Sequence, residues 1–132
     1  MQASRRVFLS FASEDLAFVR GVRLLARNPG IDLDFYDESL RVAVNSTQAE
    51  YVKRVIRDKI SRASVTVCFI GPATHLSPWV DWELEESLRC GNRIVAMAVK
   101  GCDSAILPAL VKQTGLTFHP WDYAALQRLT NQ

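Results

Sequence analysis

Apolar runs of strand length alternate with segments of helical period along the whole chain, and this rhythm restricts the fold more than any single motif. Val7-Phe8-Leu9-Ser10-Phe11 reads most simply as a buried strand. Phe18, Val19, Val22, Leu25 and Ala26 then recur at helical spacing, with Arg20, Arg23 and Arg27 elsewhere on the wheel. Ile31 to Tyr36 alternates apolar and acidic residues, the pattern of a half-exposed edge strand. Val52, Val55, Ile56, Ile60 and Ala63 mark one face of a second helix, and Lys53, Arg54, Arg57, Lys59 and Arg62 occupy the other. Val65 to Ile70 is a β-branched buried strand ended by Gly71-Pro72. Val80, Leu84, Ser87 and Leu88 give a third helix its inner face, ended by Gly91. Ile94 to Val99 is the fourth strand, Ala109 to Thr114 a short helix, Leu116 to Phe118 a fifth strand and Tyr123 to Leu129 a closing helix.

Local signals mark the boundaries. Ser13 offers an N-cap, with Glu14 and Asp15 in the first turn. Asn28-Pro29-Gly30 stops that helix. Thr47 with Glu50 has the spacing of a capping box. Ser77-Pro78 reads as an N-cap followed by an N1 proline. Strands joined by helical segments of about 10–16 residues require right-handed parallel crossovers. The five units predict a doubly wound α/β domain over residues 1–132, with the flavodoxin-like strand order 2-1-3-4-5. In that topology the ligand crevice lies at the carboxyl ends of strands one and three. It selects Phe11 to Asp15, Asp37 to Ser39 and Gly71 to Glu83 on geometry alone.

Composition removes several classes. The 132 residues carry a net charge of +2, which offers nothing to a nucleic-acid reading. Hydrophobic residues at 48% and charged residues at 23% are the balance of an ordinary globular domain. The longest wholly apolar run, Ile94 to Val99, is far short of the roughly 18 residues of a membrane span. Met1 to Arg6 lacks the apolar core of a secretory signal. Cys68, Cys90 and Cys102 match no zinc spacing, Cys68 reads as core, and the set suits a reducing, cytoplasmic setting. The loop after strand one is neither GxGxxG nor a P-loop, nor the Ser/Thr/Gly-rich loop that holds an FMN phosphate. Strand three ends in Gly71-Pro72, not in the aspartate of a response regulator. Ser10 and Ser13 lack a nucleophile elbow, and no His, Cys and carboxylate cluster has metal-ligand spacing.

The stretch from Ser77 to Glu86, SPWVDWELEE, carries the most chemistry. With the apolar face centred near Leu84, Glu83 falls roughly 85° away and Glu86 roughly 145° away. The expectation is that Glu83 sits at the rim of the buried face, and that Glu85 and Glu86 are solvated. A rim carboxylate in a half-apolar cleft can stabilise a developing sugar cation. Acids near a helix N-terminus equally complement the helix dipole. Trp82 lands on the outer face, as a contact surface or flat over a neighbouring loop. His75 lies where a proton donor could sit, although solvent exposure without function is the simpler reading; His119 receives no role. The basic face of helix two and the acidic face of helix three allow head-to-tail assembly into a homo-oligomer, or are ordinary solvated surface.

The strand-one segment Val7 to Asp15, the Asp37-Glu38-Ser39 after strand two and the Ser77 to Glu83 segment resemble the TIR-like family. The similarity is closer to the TIR-like proteins of bacterial Thoeris anti-phage systems, and runs from Arg6 to about Val99. Trp79 and Glu83 match the Trp-x-x-x-Glu in which catalytic TIR domains carry their essential glutamate. The resemblance implies a TIR-like domain that binds NAD as substrate and breaks its N-glycosidic bond. It implies Glu83 as the catalytic group, Phe11 and Trp79 as apolar walls, and Ser13, Asp15, Asp37, Ser39 and His75 as polar contacts. It further implies an ADP-ribose product closed into a cyclic signal for a separate effector protein, with a phage-derived trigger; the residues themselves point to no metal, membrane or nucleic acid. The loop after strand two lacks the marks of receptor-type TIR interaction loops. Two other readings stay open from the residues: a non-enzymatic assembly or adaptor module, and a nucleoside or nucleotide N-glycosidase on a related scaffold.

Overall fold

The parallel sheet runs in the order β2-β1-β3-β4-β5, as the alternation of elements predicts. The structure is a computed structural model that describes residues 5–26, 31–35 and 43–131. The strands are β1 (Arg5–Ser10), β2 (Ile31–Asp34), β3 (Val65–Ile70), β4 (Arg93–Ala98) and β5 (Phe118–His119). The helices are α1 (Leu16–Leu25), α2 (Ala49–Arg62), α3 (Pro78–Arg89), α4 (Ala109–Thr114) and α5 (Tyr123–Thr130). Every pairing is parallel, and β2 is the edge expected from its acidic alternation. Strand limits move by one or two residues from the sequence reading. Asn28-Pro29-Gly30 and Tyr36 lie outside the described residues.

Period-two alternation sorts the interior strands onto two faces. Val7, Leu9, Val65, Val67, Phe69, Val95 and Met97 pack with Val19, Val22 and Ala26 near α1 and with Ala125 and Leu126 of α5. Phe18, Phe69 and Trp121 join this face as edge-to-face rings with centroids 5.0–6.1 Å apart. On the other face, Phe8 meets Val52, Ile56 and Ile60 of α2 and Trp79 of α3. Cys68, Ile70, Ile94 and Ala96 meet Val80 and Leu84 of α3 and Val111 of α4. Burial on both sides accounts for the nearly continuous apolar sequence of β1, β3 and β4.

Several local expectations are corrected. Ser13 does not cap α1: the chain enters through a 3-10 turn, Ser13–Asp15, and the Ser13 hydroxyl bonds Glu14 instead. Thr47 and Glu50 form no capping box; Gln48 occupies the N-cap, and the Ala49 amide is taken by the Ser46 carbonyl of the preceding turn. In both places a backbone turn satisfies the donors that a side chain was expected to hold. Ser77 does cap α3, accepting from the Val80 amide at 3.2 Å ahead of Pro78. Leu25 and Leu88 are exposed, not inward. Leu25 falls beside the buried row Val19, Val22 and Ala26. Leu88 is displaced because the buried face of α3 is centred between Glu83 and Ser87, not on Leu84.

Candidate functional site

Topology brings the ends of β1 and β3 together beneath the start of α3. Gly71 closes β3, and its amide donates to Thr74 Oγ1 at 2.8 Å, bracing the turn that leads to Ser77. A crevice of about 370 Å³ opens there, walled by Ala12, Ser13 and Glu14 from the first loop and by Ala73, Ser77 and Trp79 from the second. This is the switch-point location selected from the sequence.

Glu83 does not lie at the rim. It is 0% exposed, one turn beyond Trp79, and its Oε1 accepts from the Ser10 hydroxyl at 2.7 Å. Its backbone carbonyl accepts from Ser87 Oγ at 2.8 Å. The Thr66 hydroxyl stands 2.7 Å from Ser87 Oγ. Because Ser87 spends its proton on Glu83, Thr66 is the donor between the two hydroxyls. Thr66 in turn accepts from Asn92, whose side-chain amide also reaches the Ile60 carbonyl at 3.1 Å. A buried chain of hydrogen bonds thus joins the end of α2, β3 and α3 at the residue the sequence singled out. Cys68, the register partner of Ser10, is a free thiol pushed far above its ordinary range by burial and then by the Glu83 charge. It stays protonated and inert.

Glu86 is also corrected, from solvated to 3% exposed. Arg89 Nη1 lies 2.9 Å and Arg57 Nε 3.4 Å from its carboxylate. Arg57 and Lys53 stand over the Trp82 ring at 5.6 and 5.8 Å, and Trp82 meets Trp79 edge-to-face at 5.9 Å. Part of the basic surface of α2 therefore faces α3, and Trp82 is the half-buried plate between them. Burying two carboxylates on α3 is tolerable because each has a hydrogen-bond donor.

The remaining predicted residues scatter around this centre. Phe11 is 0% exposed and edge-on to Phe35 at 5.4 Å, enclosed in the core. Trp79 lines the crevice and Ser13 is an exposed part of its wall. Asp15 is buried, and its Oδ2 has no hydrogen-bond partner. Burial, and then the neighbouring Glu14 charge, raises its carboxyl above the usual range. A Cβ on Gly71 would strike that carboxyl, so a glycine is what lets Asp15 pack there. His75 is half-buried with an unpartnered Nδ1. Asp37 and Ser39 lie outside the described residues. The sequence reading placed Ser87 inward but missed Ser10 as the partner of Glu83, and missed the scaffolding chain through Thr66, Ser87 and Asn92 that braces α3 behind it. Ser10 left one usable trace, a hydroxyl on the same strand face as Phe8, where a buried polar atom demands a partner.

Among the described residues no group of three or more His, Cys, Asp or Glu side chains is placed to hold a metal, and no helix is long and apolar enough to cross a membrane. A second, charged recess of about 260 Å³ lies at the opposite end of the sheet, between Arg6, Asp32, Asp34, Lys59 and Arg62.

The sequence matches the family described as "Thoeris protein ThsB, TIR-like domain" over residues 8–104. A Bacillus cereus (strain MSX-D12) protein named "Putative cyclic ADP-D-ribose synthase ThsB1" is 27% identical over 129 residues, covering 94% of this chain; the chain spans 65% of that relative's length. The TIR domain of the Toll-related receptor TRR-2 from Hydra magnipapillata superposes with a TM-score of 0.62 at 16% identity, covering 96% of this chain and 98% of that one. A 2-deoxyribosyltransferase from Bacillus psychrosaccharolyticus reaches 0.64 at 20% identity, with 92% and 90% covered. The Clostridium botulinum CMP N-glycosidase BcmB reaches 0.58 at 16% identity, with 96% and 98% covered. At these identities the structural likeness establishes the fold.

Proposed function

The chain belongs to the Thoeris ThsB TIR-like domain family, and we propose that it cleaves NAD at the nicotinamide–ribose bond and closes the ADP-ribose into a cyclic signal. The observation that carries the reading is Glu83: a buried carboxylate anchored to an interior strand, one turn behind the tryptophan that lines the switch-point crevice. The name of the Bacillus cereus relative, a cyclic ADP-D-ribose synthase, supports the choice of product.

In the proposed reaction the bond from ribose C1′ to the pyridinium nitrogen breaks. Its electron pair leaves with nicotinamide, which becomes neutral. Positive charge develops across C1′ and the ring oxygen, and Glu83 stabilises it while accepting from ribose hydroxyls. Trp79 is an apolar wall, and Ser13, Asp15 and His75 are polar contacts, joined in the proposal by Asp37 and Ser39 from the stretch that follows β2 in sequence. A nucleophile of the ADP-ribose itself then bonds to C1′ and releases its proton, closing the ring; water in its place gives linear ADP-ribose. Glu83 is enclosed, so the reading includes movement of the Ala73 to Trp79 segment to admit the sugar. A phage-derived trigger or self-association supplies that opening, and the product acts on a separate effector protein in the cytoplasm.

The test is mass spectrometry of the purified, concentrated chain incubated with NAD and, separately, with free nucleosides and nucleotides. The expected result is nicotinamide and a cyclic ADP-ribose from NAD alone. Nucleoside cleavage with NAD intact would assign the site to an N-glycosidase. Assembly without cleavage of any substrate would assign the chain to an adaptor role.

A further inference from the structure

The face of the sheet beneath α3 carries two fully buried hydroxyls among apolar strand residues, Ser10 after Val7 to Leu9 on β1 and Thr66 on β3. Both are spent on α3, but on different targets. Thr66 donates to Ser87, which donates to the Glu83 main chain. Ser10 reaches the Glu83 carboxylate itself, across 73 residues of sequence, at 2.7 Å. Ser10 ends β1 and stands in register with Cys68 of the interior strand β3, so its hydroxyl is mounted on the sheet itself.

We propose that Ser10 is the positioning residue of Glu83, fixing one carboxylate oxygen so that the group meets the substrate ribose in a single orientation. The inference rests on the reading of Glu83 as the carboxylate that meets the sugar. A glutamate has three rotatable side-chain bonds, and a carboxylate that must face a developing charge loses rate steeply with misplacement. A charge-assisted hydrogen bond of this length fixes the oxygen directly. Thr66, one step removed, holds the helix but not the carboxylate. The two hydroxyls therefore separate positioning from scaffolding within one seam.

The experiment compares Ser10→Ala with Thr66→Val, each in the full chain, by thermal melting and by steady-state nicotinamide release. Both variants lose a buried hydroxyl and should melt lower than wild type, Ser10→Ala the more because its partner is a carboxylate. Ser10→Ala should lower kcat by about 10- to 100-fold with KM within about twofold, while Thr66→Val keeps kcat near wild type. Wild-type or higher kcat in Ser10→Ala would overturn the proposal, as would equal losses of kcat in both variants. Glu83→Gln, run in parallel, separates the two failures. If it turns over normally, the reading of Glu83 falls and this inference falls with it. If it is silent while Ser10→Ala is fully active, only the role of Ser10 falls.

Discussion

The two faces of the sheet are built from the same three interior strands, yet they are spent differently. Under α1 and α5 the buried strand residues are apolar, from Val7 and Leu9 to Val95 and Met97, and aromatic rings of Phe18, Phe69 and Trp121 pack among them. Under α2 and α3 the same strands present Ser10, Thr66 and Cys68, and the helix returns Glu83, Glu86 and Ser87 to the buried side. One face maximises burial; the other accepts polar groups and holds the Glu83 and Glu86 carboxylates with hydrogen-bond donors. Apolar packing and buried polar contacts are thereby segregated across a layer one strand thick.

That contrast can be broken. The largest effect is expected from Phe69→Ala on the apolar face, where a fully buried ring leaves a cavity; a loss of about 3–5 kcal/mol should appear in urea unfolding. A loss under about 1 kcal/mol would show that this face does not dominate stability. Glu86→Ala on the polar face should cost less, about 1–2 kcal/mol, because its two arginines are half-exposed or more and can turn to water. If it matched Phe69→Ala, the polar face would be structural in the same degree. The smallest effect is a pH dependence at Asp15. Its folded carboxyl is raised by burial and by Glu14, so the native state holds the proton more tightly than the unfolded chain. Its contribution is fully present below the unfolded value and is lost as pH rises through the folded value. Asp15→Asn should therefore gain on the wild type as pH is raised from about 3 to 7, in melting curves taken across that range. An unchanged difference across the range would contradict the assignment.

What the sequence made legible was whatever short-range pattern encodes. The apolar runs set the strands, their β-branched character set the interior, and the acidic alternation of Ile31 to Asp34 marked the edge. Ser77-Pro78 marked the start of α3, and the switch point located the crevice. What stayed hidden depends on partners far along the chain. A helical wheel sends an unpaired glutamate toward solvent, but Glu83 finds Ser10 and Glu86 finds Arg57, 73 and 29 residues away. The caps at Ser13 and Thr47 failed for the opposite reason, since a local backbone turn outcompeted the side chain. Trp82 was legible as outward, but not as the surface on which Lys53 and Arg57 rest.

The most direct test of the whole account is the rate of nicotinamide release by Glu83→Gln, with its fold verified by circular dichroism and melting. Loss of the charge that faces the developing cation predicts a kcat reduced by about 10²–10³-fold in a folded protein. A folded variant that releases nicotinamide at the wild-type rate would contradict the assignment of chemistry to the polar face.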